Sequence, residues 1–463
     1  MNQCARTFVL VGLVAVFLLA MHLLPSIYIY GVELRHVNIL SDIIPEVYGN
    51  ADTVAIPLPE PASAASLSKS DSAAVPRERF VVPEGVTMIE DYSGGAPGGM
   101  ASFYGKLLSI RSLGRPVRIA YYGDSFIEGD ILTCDLREMM QARFGGNGVG
   151  WVDCADKLNG FRRTVSQTSA GLAEHEVVKK PFSHLHEGIN QRYFIPSQNA
   201  YVKTCGTKFR KLSSFWHRSF LFLRTGSGLT LHTSVNGGDE TPAAIDASPS
   251  VQMVACADSA KTRCVSYRFA DVGPDTYIYG MALESDRGVI LDNFSMRGSA
   301  GYTIADIPRE TMRDFARLRP YDLIVLHFGL NVVSDSNTSA NYKAYVRRMK
   351  RTVEAVRRAY PDAAVLIVSV PDRAQRTADG VQTMRGVEAL AAYQKVLASE
   401  CGVAYFNLFK AMGGRGSMKD MVEKRWANKD YTHLSFAGGR HVAKYIYDSF
   451  VAGCEEHKMN MGD

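Results

Sequence analysis

The apolar positions of the chain follow two alternating periods from about Val86 onward. Short runs that are apolar at nearly every position, such as PVRIAYY, YDLIVLHF and AAVLIVSV, alternate with segments such as NYKAYVRRMKRTVEAVRRAY, in which apolar residues recur at helical spacing. Uninterrupted apolar strands between amphipathic helices are typical of a parallel sheet that is covered on both faces. The pattern therefore predicts a three-layer α/β fold with a doubly wound parallel sheet, formed by residues 86–163 and 286–455.

Residues 164–285 break this alternation. Runs such as SFLFLRTGSGLTLHTSVNGG and CVSYRFADVGPDTYIYGMAL are rich in β-branched and aromatic residues, lack a helical period and are bounded by Gly, Pro and Asp turns. They predict a β-sandwich inserted into the α/β domain, a kind of module that often binds carbohydrate. Five of its aromatic side chains either stack on sugars or fill the core, and the sequence leaves both alternatives open. These are Phe215, Trp216, Tyr267, Tyr277 and Tyr279.

The N-terminus carries an uncharged apolar run, TFVLVGLVAVFLLAMHLL, directly after Arg6. We interpret residues 1–30 as a signal anchor that forms a membrane helix, with a cleaved signal peptide as the alternative. Residues 31–85 include a stretch rich in Ala, Ser and Pro, which is typical of a linker or stalk. Both interpretations predict export of the rest of the chain to the cell envelope or periplasm, and the first predicts anchoring to the inner membrane.

Charge distribution argues against a nucleic-acid partner. The 463 residues carry a net charge of +5, but Lys and Arg are scattered along the chain. The densest basic stretch, from Arg347 to Arg358, has the spacing of a solvated helix face.

The cysteines and histidines do not predict a metal or a cofactor. Eight cysteines are compatible with an exported protein, and they show no zinc-type spacing. Two disulfides are conceivable, Cys256 with Cys264 and Cys134 with Cys154. One stretch has four side chains with the chemistry of metal ligands, but a loop with surface histidines is the simpler interpretation. These side chains are His175, His184, His186 and Glu187.

Polar groups with catalytic chemistry stand at the predicted strand ends. PVRIAYY leads to Gly-Asp-Ser125, GVILDNFS leads to Gly298, and YDLIVLHF leads to Asn331, while Asp430 and His433 precede the last helix. A serine hydroxyl acts as a nucleophile only with a neighbouring base, an orienting carboxylate and donors for the oxyanion. Because the carboxyl ends of parallel strands meet at one edge of a sheet, we expect these groups to converge.

In chain order, the blocks GDS, NxSxxG, GxN and DxxH resemble the SGNH or GDSL-type hydrolase superfamily. The resemblance covers about Val117 to Phe436, interrupted by the β insert. It departs from the eponymous pattern at Phe126, which follows the serine.

The resemblance implies a role for each matching residue. Ser125 would be the nucleophile, His433 the general base and acid, and Asp430 the carboxylate that orients the imidazole. The backbone N–H groups of Ser125 and Gly298 and the amide of Asn331 would form the oxyanion hole. The adjacent carboxylate, Asp124, would support the turn instead of joining the triad.

The membrane anchor and the insert between the serine and glycine blocks resemble bacterial envelope members of the superfamily, among them peptidoglycan O-acetylesterases. The expected function is an exported serine esterase that removes O-acetyl groups from an envelope polysaccharide such as peptidoglycan. One alternative is an O-acetyltransferase that moves acetyl onto a glycan together with a membrane-bound O-acyltransferase. The other is a non-catalytic glycan-binding surface protein.

Two further carboxylates follow the serine. Glu128 and Asp130 suggest a glycosidase pair at first sight. However, Asp130 is expected to cap a helix that begins at Ile131, and Glu128 is expected to face solvent or substrate.

Overall fold

The structure, a computed structural model, describes residues 28–29, 32–33, 80–154, 157–257 and 261–462. Two short strands, β1 (Tyr28–Ile29) and β2 (Val32–Glu33), pair antiparallel in a unit separate from the rest. The remainder of the predicted signal anchor lies outside the described residues. Among those that are described, no helix combines the length and the apolar character needed to cross a membrane.

All other elements belong to the second unit, which holds both predicted sheets. Its strands are β3 (Glu90–Asp91), β4 (Val117–Gly123), β5 (Gly150–Val152), β6 (Val165–Glu176), β7 (Arg192–Gly206), β8 (Arg218–Thr225), β9 (Leu229–Val235), β10 (Thr241–Ile245), β11 (Ser248–Ala257), β12 (Cys264–Ala270), β13 (Thr276–Glu284), β14 (Val289–Ser295), β15 (Leu323–His327), β16 (Ala364–Val368), β17 (Ala374–Thr377), β18 (Gly380–Thr383) and β19 (Ala404–Phe406). Its helices are α1 (Met100–Leu108), α2 (Thr133–Phe144), α3 (Arg309–Leu318), α4 (Ser339–Ala359), α5 (Val387–Cys401), α6 (Leu408–Ala411), α7 (Ser417–Glu423) and α8 (Phe436–Met461).

The α/β sheet has the strand order β14-β4-β15-β16-β19-β3. The first five strands are parallel, and β3 pairs antiparallel with β19. The predicted α/β fold is confirmed, but the prediction of a wholly parallel sheet is wrong at this edge. Both residues of β3 are exposed and acidic, so no apolar pattern reveals the strand. The strand order reverses between β4 and β15, which is where doubly wound sheets bind their ligands.

Helices cover both faces of this sheet. Strands β15 and β16 are buried at every position, as expected for central parallel strands. Helix α8 contacts both α1 and α2, and in a second group α4 contacts both α3 and α5. In α4 the buried side chains recur three or four residues apart, and a capping box between Thr338 and Asn341 fixes its first turn.

The inserted strands form a second, nine-stranded sheet with the order β10-β9-β12-β7-β13-β8-β11, with β6 on β7 and β5 on β13. A single residue pair, Ile278 with Phe194, joins β7 to β13. The sheet therefore divides there into two antiparallel halves, which pack over a separate core that both of them line, for example with Tyr267 and Met281. Strand β5, within the residues 86–163 assigned to the α/β domain, pairs with β13 of the insert. Its residue Val152 lies in this core, whereas Trp151 packs in the core of the α/β sheet.

Most of the aromatic residues proposed as sugar platforms fill cores instead. Trp216, Tyr267 and Tyr279 are fully buried, and Tyr277 is 8% exposed. Phe215 is half-buried, and the Lys261 ammonium lies 4.3 Å from its ring centre. The structure thus decides between the two alternatives for four of the five side chains.

The disulfide joins Cys205 on β7 to Cys264 on β12, which are directly opposite in the antiparallel pair. The predicted pairs are wrong, because Cys134, Cys154 and Cys256 are free thiols. Cys256 lies on β11, which pairs with β8 in the other half of the sheet. Closeness in sequence therefore misled the prediction.

Candidate active site

Ser125 stands in the turn that follows β4. In the sheet, Gly123 at the end of β4 is in register with Ser295 of β14 and His327 of β15. The Met296 N–H donates to the Gly123 carbonyl at 2.9 Å, which holds the segment after β14 against this turn. The three segments that follow these strands therefore meet at one edge, as the sequence predicts for the serine, glycine and asparagine blocks.

A continuous chain of hydrogen bonds joins the predicted triad. The distance between Ser125 Oγ and His433 Nε2 is 2.9 Å, and that between His433 Nδ1 and Asp430 Oδ2 is 2.7 Å. The second carboxylate oxygen of Asp430 accepts the backbone N–H groups of Thr432 and His433, at 3.0 Å each. Partial burial opposes ionisation of Asp430, but the hydrogen bonds from His433 and Thr432 outweigh it and lower the pKa of this carboxyl.

This arrangement can activate a hydroxyl. Asp430 fixes the imidazole ring through Nδ1–H, which leaves Nε2 unprotonated and able to take the proton of Ser125. The side chains of His433 and Asp430 are 32% and 48% exposed, so the site is open to solvent.

Asp124 connects two loops of the site. Its carboxylate accepts the Phe126 N–H at 3.0 Å, within its own turn, and the Leu330 N–H at 3.2 Å, in the loop after β15. Burial raises the pKa of this carboxyl to about 6 in spite of those hydrogen bonds, which favour the ionised form. Asp124 therefore couples the position of Ser125 to that of Asn331, which follows Leu330.

The predicted oxyanion donors lie on the same strand edge. Gly298 adopts a left-handed backbone (φ +80°) that favours glycine. Within the part of the chain that the structure describes, neither its N–H nor that of Ser125 donates to a backbone carbonyl. The Asn331 amide donates one N–H to the Ser299 carbonyl at 2.9 Å, which leaves its second N–H for a ligand. The oxyanion role of these groups stays a prediction.

Asp130, five residues after Ser125, forms a buried ionic cluster and does not cap a helix. It is buried, and its carboxylate accepts both Nη groups of Arg137 and the Thr164 hydroxyl, each at 2.8 Å. Burial raises its pKa, but Arg137 and Arg162 outweigh this effect and hold the value far below the usual range. The predicted cap is wrong because the Asp130 carboxylate accepts its hydrogen bonds from these side chains instead. Helix α2 instead begins at Thr133 without a side-chain cap.

Glu128 forms an ion pair and is mostly buried, so the first alternative of its prediction, that it faces solvent, is wrong. The second, that it faces substrate, stays a prediction. Its carboxylate lies 2.9 Å from the guanidinium of Arg297. Only 13% of the Glu128 side chain is exposed, against 62% for Arg297. Since Arg297 precedes Gly298, this pair ties the serine turn to the glycine block.

Two arginines that support the site were missed by sequence reasoning. Arg192 on β7 of the insert donates to the Ser295 carbonyl at 3.0 Å, and Arg373 donates to the Leu330 carbonyl at 2.7 Å. Arg373 follows the end of β16, so extending the search for polar groups to this strand end would have found it. Arg192 gives no such signal, because its contacts are distant in the sequence.

The histidine-rich stretch that was considered as a metal site has other contacts. His184 Nδ1 lies 2.6 Å from the buried Glu187 carboxylate. His186 stacks on Tyr277 with ring centres 4.0 Å apart, and His175 stacks on Tyr193 at 4.8 Å. Among the described residues, no group of three or more His, Cys, Asp or Glu side chains is arranged to hold a metal ion.

Comparisons with known proteins found one family model and several solved structures that resemble this chain. The model of the GDSL-like lipase/acylhydrolase family matches residues 273–440. The match contains Gly298, Asn331, Asp430 and His433 but not Ser125, which the insert separates from the rest. No curated protein matches the chain in sequence.

Solved structures show similarity in fold. A structure described as a peptidoglycan O-acetylesterase is 20% identical, with a TM-score of 0.65, over 80% of this chain and 99% of that chain. A family two carbohydrate esterase from Clostridium thermocellum is 14% identical over 61% of this chain and 96% of that chain, with a TM-score of 0.26. The second similarity is too weak to support an argument. Residues 273–440 thus match the GDSL-like lipase/acylhydrolase family, and the chain resembles SGNH-type hydrolases, with a fold similar to that of a peptidoglycan O-acetylesterase.

Proposed function

We propose that this protein is a serine esterase that removes O-acetyl groups from an envelope polysaccharide such as peptidoglycan. The observation that carries the proposal is the hydrogen-bonded chain from Asp430 through His433 to Ser125 Oγ, at distances of 2.7 and 2.9 Å. The family match supports acyl-ester chemistry, and the fold shared with a peptidoglycan O-acetylesterase favours acetylated glycan as the substrate.

In the proposed reaction, Ser125 Oγ attacks the acetyl carbonyl while His433 Nε2 takes its proton. The negative charge on the carbonyl oxygen is met by the N–H groups of Ser125 and Gly298 and by the free N–H of Asn331. His433 then protonates the departing sugar oxygen, which breaks the ester bond and leaves acetyl on Ser125. A water molecule, deprotonated by His433, attacks this acyl-enzyme and releases acetate and free Ser125.

The exposure of the triad favours water as the acceptor. Because His433 and Asp430 are 32% and 48% exposed, water reaches the acyl-enzyme without a conformational change. An acetyltransferase must instead protect the same intermediate from hydrolysis.

We also propose that the protein is exported and acts in the cell envelope, anchored to the inner membrane. The apolar run after Arg6 supports this location. The Cys205–Cys264 disulfide supports it as well, because disulfides persist mainly in oxidising compartments.

The test is release of acetate from O-acetylated peptidoglycan and other acetylated glycans by the purified protein. Ser125→Ala is expected to abolish release. Ser112→Ala, an exposed serine before the amino end of β4, is the matched control and should retain full release. Acetyl appearing on an added acceptor sugar in place of free acetate would favour the transferase. Glycan binding without turnover of any ester would favour the binding protein.

A further inference from the structure

A cleft of about 350 Å³ lies beside the triad and has no role in the reaction described above. One wall is the β17–β18 hairpin with the segment before it, and the other is the loop that carries Asp430. Ala374 N–H donates to the Tyr431 carbonyl at 3.1 Å, which fixes the two walls to each other. The volume is in the range of small-ligand sites.

The lining of this cleft is cationic. Arg373, Arg376 and Lys429 line it, against one carboxylate, Asp430, that is hydrogen-bonded to His433. Among the residues that the structure describes, no carboxylate forms a salt bridge with any of these three cations. Arg373 is half-buried, whereas Arg376 and Lys429 are exposed. The buried Arg192, by contrast, forms an ion pair with Asp153. The cleft therefore carries positive charge that no ion pair among the described residues neutralises.

The cleft is connected to both halves of the catalytic machinery. Arg373 donates to the Leu330 carbonyl at 2.7 Å, directly before the oxyanion residue Asn331. Its Nε is buried and has no hydrogen-bond partner in the described chain. Lys429 precedes the triad carboxylate, and Arg376 lies with its guanidinium carbon 5.6 Å from the Tyr431 ring centre. The cleft is thus lined by one triad residue, Asp430, and is joined through Arg373 to the loop that carries Asn331.

We propose that this cleft binds a carboxylate of the glycan, carried by the acetylated sugar or by its neighbour, so that the preferred substrate is an acidic O-acetylated polysaccharide. The inference rests on the proposed esterase function and narrows its substrate class. Arginine guanidinium groups suit a planar carboxylate because they donate two parallel hydrogen bonds to it. Lys429, at the open side, adds a charge that attracts the polymer over a longer distance.

The test compares acetylated polygalacturonate with the same polymer after methyl esterification of its carboxyl groups. The native protein is expected to show the higher kcat/KM on the acidic form. In Arg376→Gln and in Lys429→Gln, the ratio of kcat/KM between the two polymers should fall, by about tenfold in the double variant. The change should appear mainly in KM and should shrink with added salt. Arg351→Gln, an exposed arginine on α4, should leave the ratio unchanged.

A second measurement does not depend on turnover. The affinity of Ser125→Ala for trigalacturonate, measured by calorimetry, should fall when Arg376 and Lys429 are also replaced. The methyl ester of trigalacturonate should bind poorly to Ser125→Ala. A parallel arm with N-acetylmuramic acid oligomers, with free or amidated lactyl carboxylates, distinguishes a carboxylate on the ring from one on a side group.

The two hypotheses fail in different ways. Equal kcat/KM on both polymers, or variants that slow both polymers equally, would overturn the carboxylate site while leaving the esterase intact. Absence of acetate release from every polymer would refute the esterase function. The binding measurement with trigalacturonate would then still test whether the cleft binds a carboxylate. No binding of either oligosaccharide type overturns it.

Discussion

At the residue scale, we expect Asp430 to act through the tautomer of His433. Its carboxylate accepts the Nδ1–H at 2.7 Å, and asparagine at this position can present an N–H to Nδ1 instead. The proton then moves to Nε2, which no longer accepts from Ser125. We expect Asp430→Asn to lower kcat by roughly 10³–10⁴-fold on 4-nitrophenyl acetate, with little change in fold.

Two measurements check this prediction. Circular dichroism should show native secondary structure in Asp430→Asn. The control is Asp448→Asn on α8, where the carboxylate pairs with Lys444 four residues away and activity should be retained. Activity above one tenth of the native value in Asp430→Asn would refute the orienting role.

Asp124 gives a prediction about stability and pH. Its pKa is raised from 3.8 to about 6 by burial, so the folded state binds this proton more tightly than the unfolded state. The stabilisation from the bound proton is full below pH 3.8 and is lost as the pH rises through about 6. We expect the native protein to lose stability relative to Asp124→Asn between pH 4 and pH 7, by up to about 3 kcal/mol.

Denaturant unfolding of both proteins at pH 4 and pH 7 measures this change. The quantity to compare is the difference in unfolding free energy between the two proteins at each pH, because the effects of other groups that titrate in this range cancel in it. If the stability of the native protein relative to Asp124→Asn is the same at both pH values, or is higher at pH 7, the assigned burial effect is contradicted.

At the scale of elements, β7 of the insert holds the loop that leads to Gly298. Arg192 on β7 is 1% exposed and binds the Ser295 carbonyl, while its charge is met by Asp153 at 2.9 Å and Glu176 at 3.2 Å. Lysine keeps the charge but not the fork of donors. We expect Arg192→Lys to lower kcat on 4-nitrophenyl acetate more than tenfold and to lower the unfolding temperature, because buried carboxylates lose hydrogen bonds.

The matched control for Arg192→Lys is Arg268→Lys, on β12 of the same sheet, where the arginine pairs with Glu240 at the surface. This control should change neither kcat nor the unfolding temperature measurably. A fall in stability with unchanged kcat would mean that β7 supports the fold but does not position the glycine block.

The elements also show what the sequence can predict. Strands such as β15 and β16 are buried throughout, and their apolar runs identify them without ambiguity. Strand β3 is short, exposed and acidic, so its pairing with β19 depends on tertiary contacts that have no local pattern. The same holds for β5, whose partner β13 lies more than a hundred residues away.

The residues of the site likewise fall into those that the sequence can place and those that it cannot. The places of Ser125, Asn331 and His433 in the fold were predictable because they follow strands or precede a helix within short motifs, while their catalytic roles stay predictions. The roles of Asp130 and Arg192 were not, because their partners, such as Thr164 and Ser295, come from the other sheet. Motif spacing reports what lies along the chain, whereas these contacts arise only from how the insert packs on the α/β sheet.

At the scale of the whole molecule, a buried ionic network joins the two sheets. Glu284, the last residue of β13, lies 2.6 Å from the guanidinium of Arg118 on β4 and 2.7 Å from that of Arg319. Arg319 also binds Asp292 of β14 at 2.7 Å, and Asp292 accepts the Trp151 N–H of β5 at 2.8 Å. Both sheets therefore share charges that neither can leave unpaired.

This network predicts that the two sheets unfold together. Replacing Arg319 by methionine leaves Glu284 and Asp292 buried with fewer partners, which we expect to cost about 3–5 kcal/mol of unfolding free energy. Tryptophan fluorescence and far-ultraviolet circular dichroism should give one coincident transition in the native protein and in Arg319→Met. Arg415→Met, which removes an exposed pair with Glu388, is the control and should shift neither transition.

Although burial opposes ionisation of Glu284, Arg118 and Arg319 lower its pKa from 4.5 to about 2. Its contribution is therefore present above pH 4.5 and is lost as the pH falls through about 2, so the cost of Arg319→Met should shrink only in that acid range. Two separate transitions in the native protein would show instead that the insert folds independently of the α/β sheet.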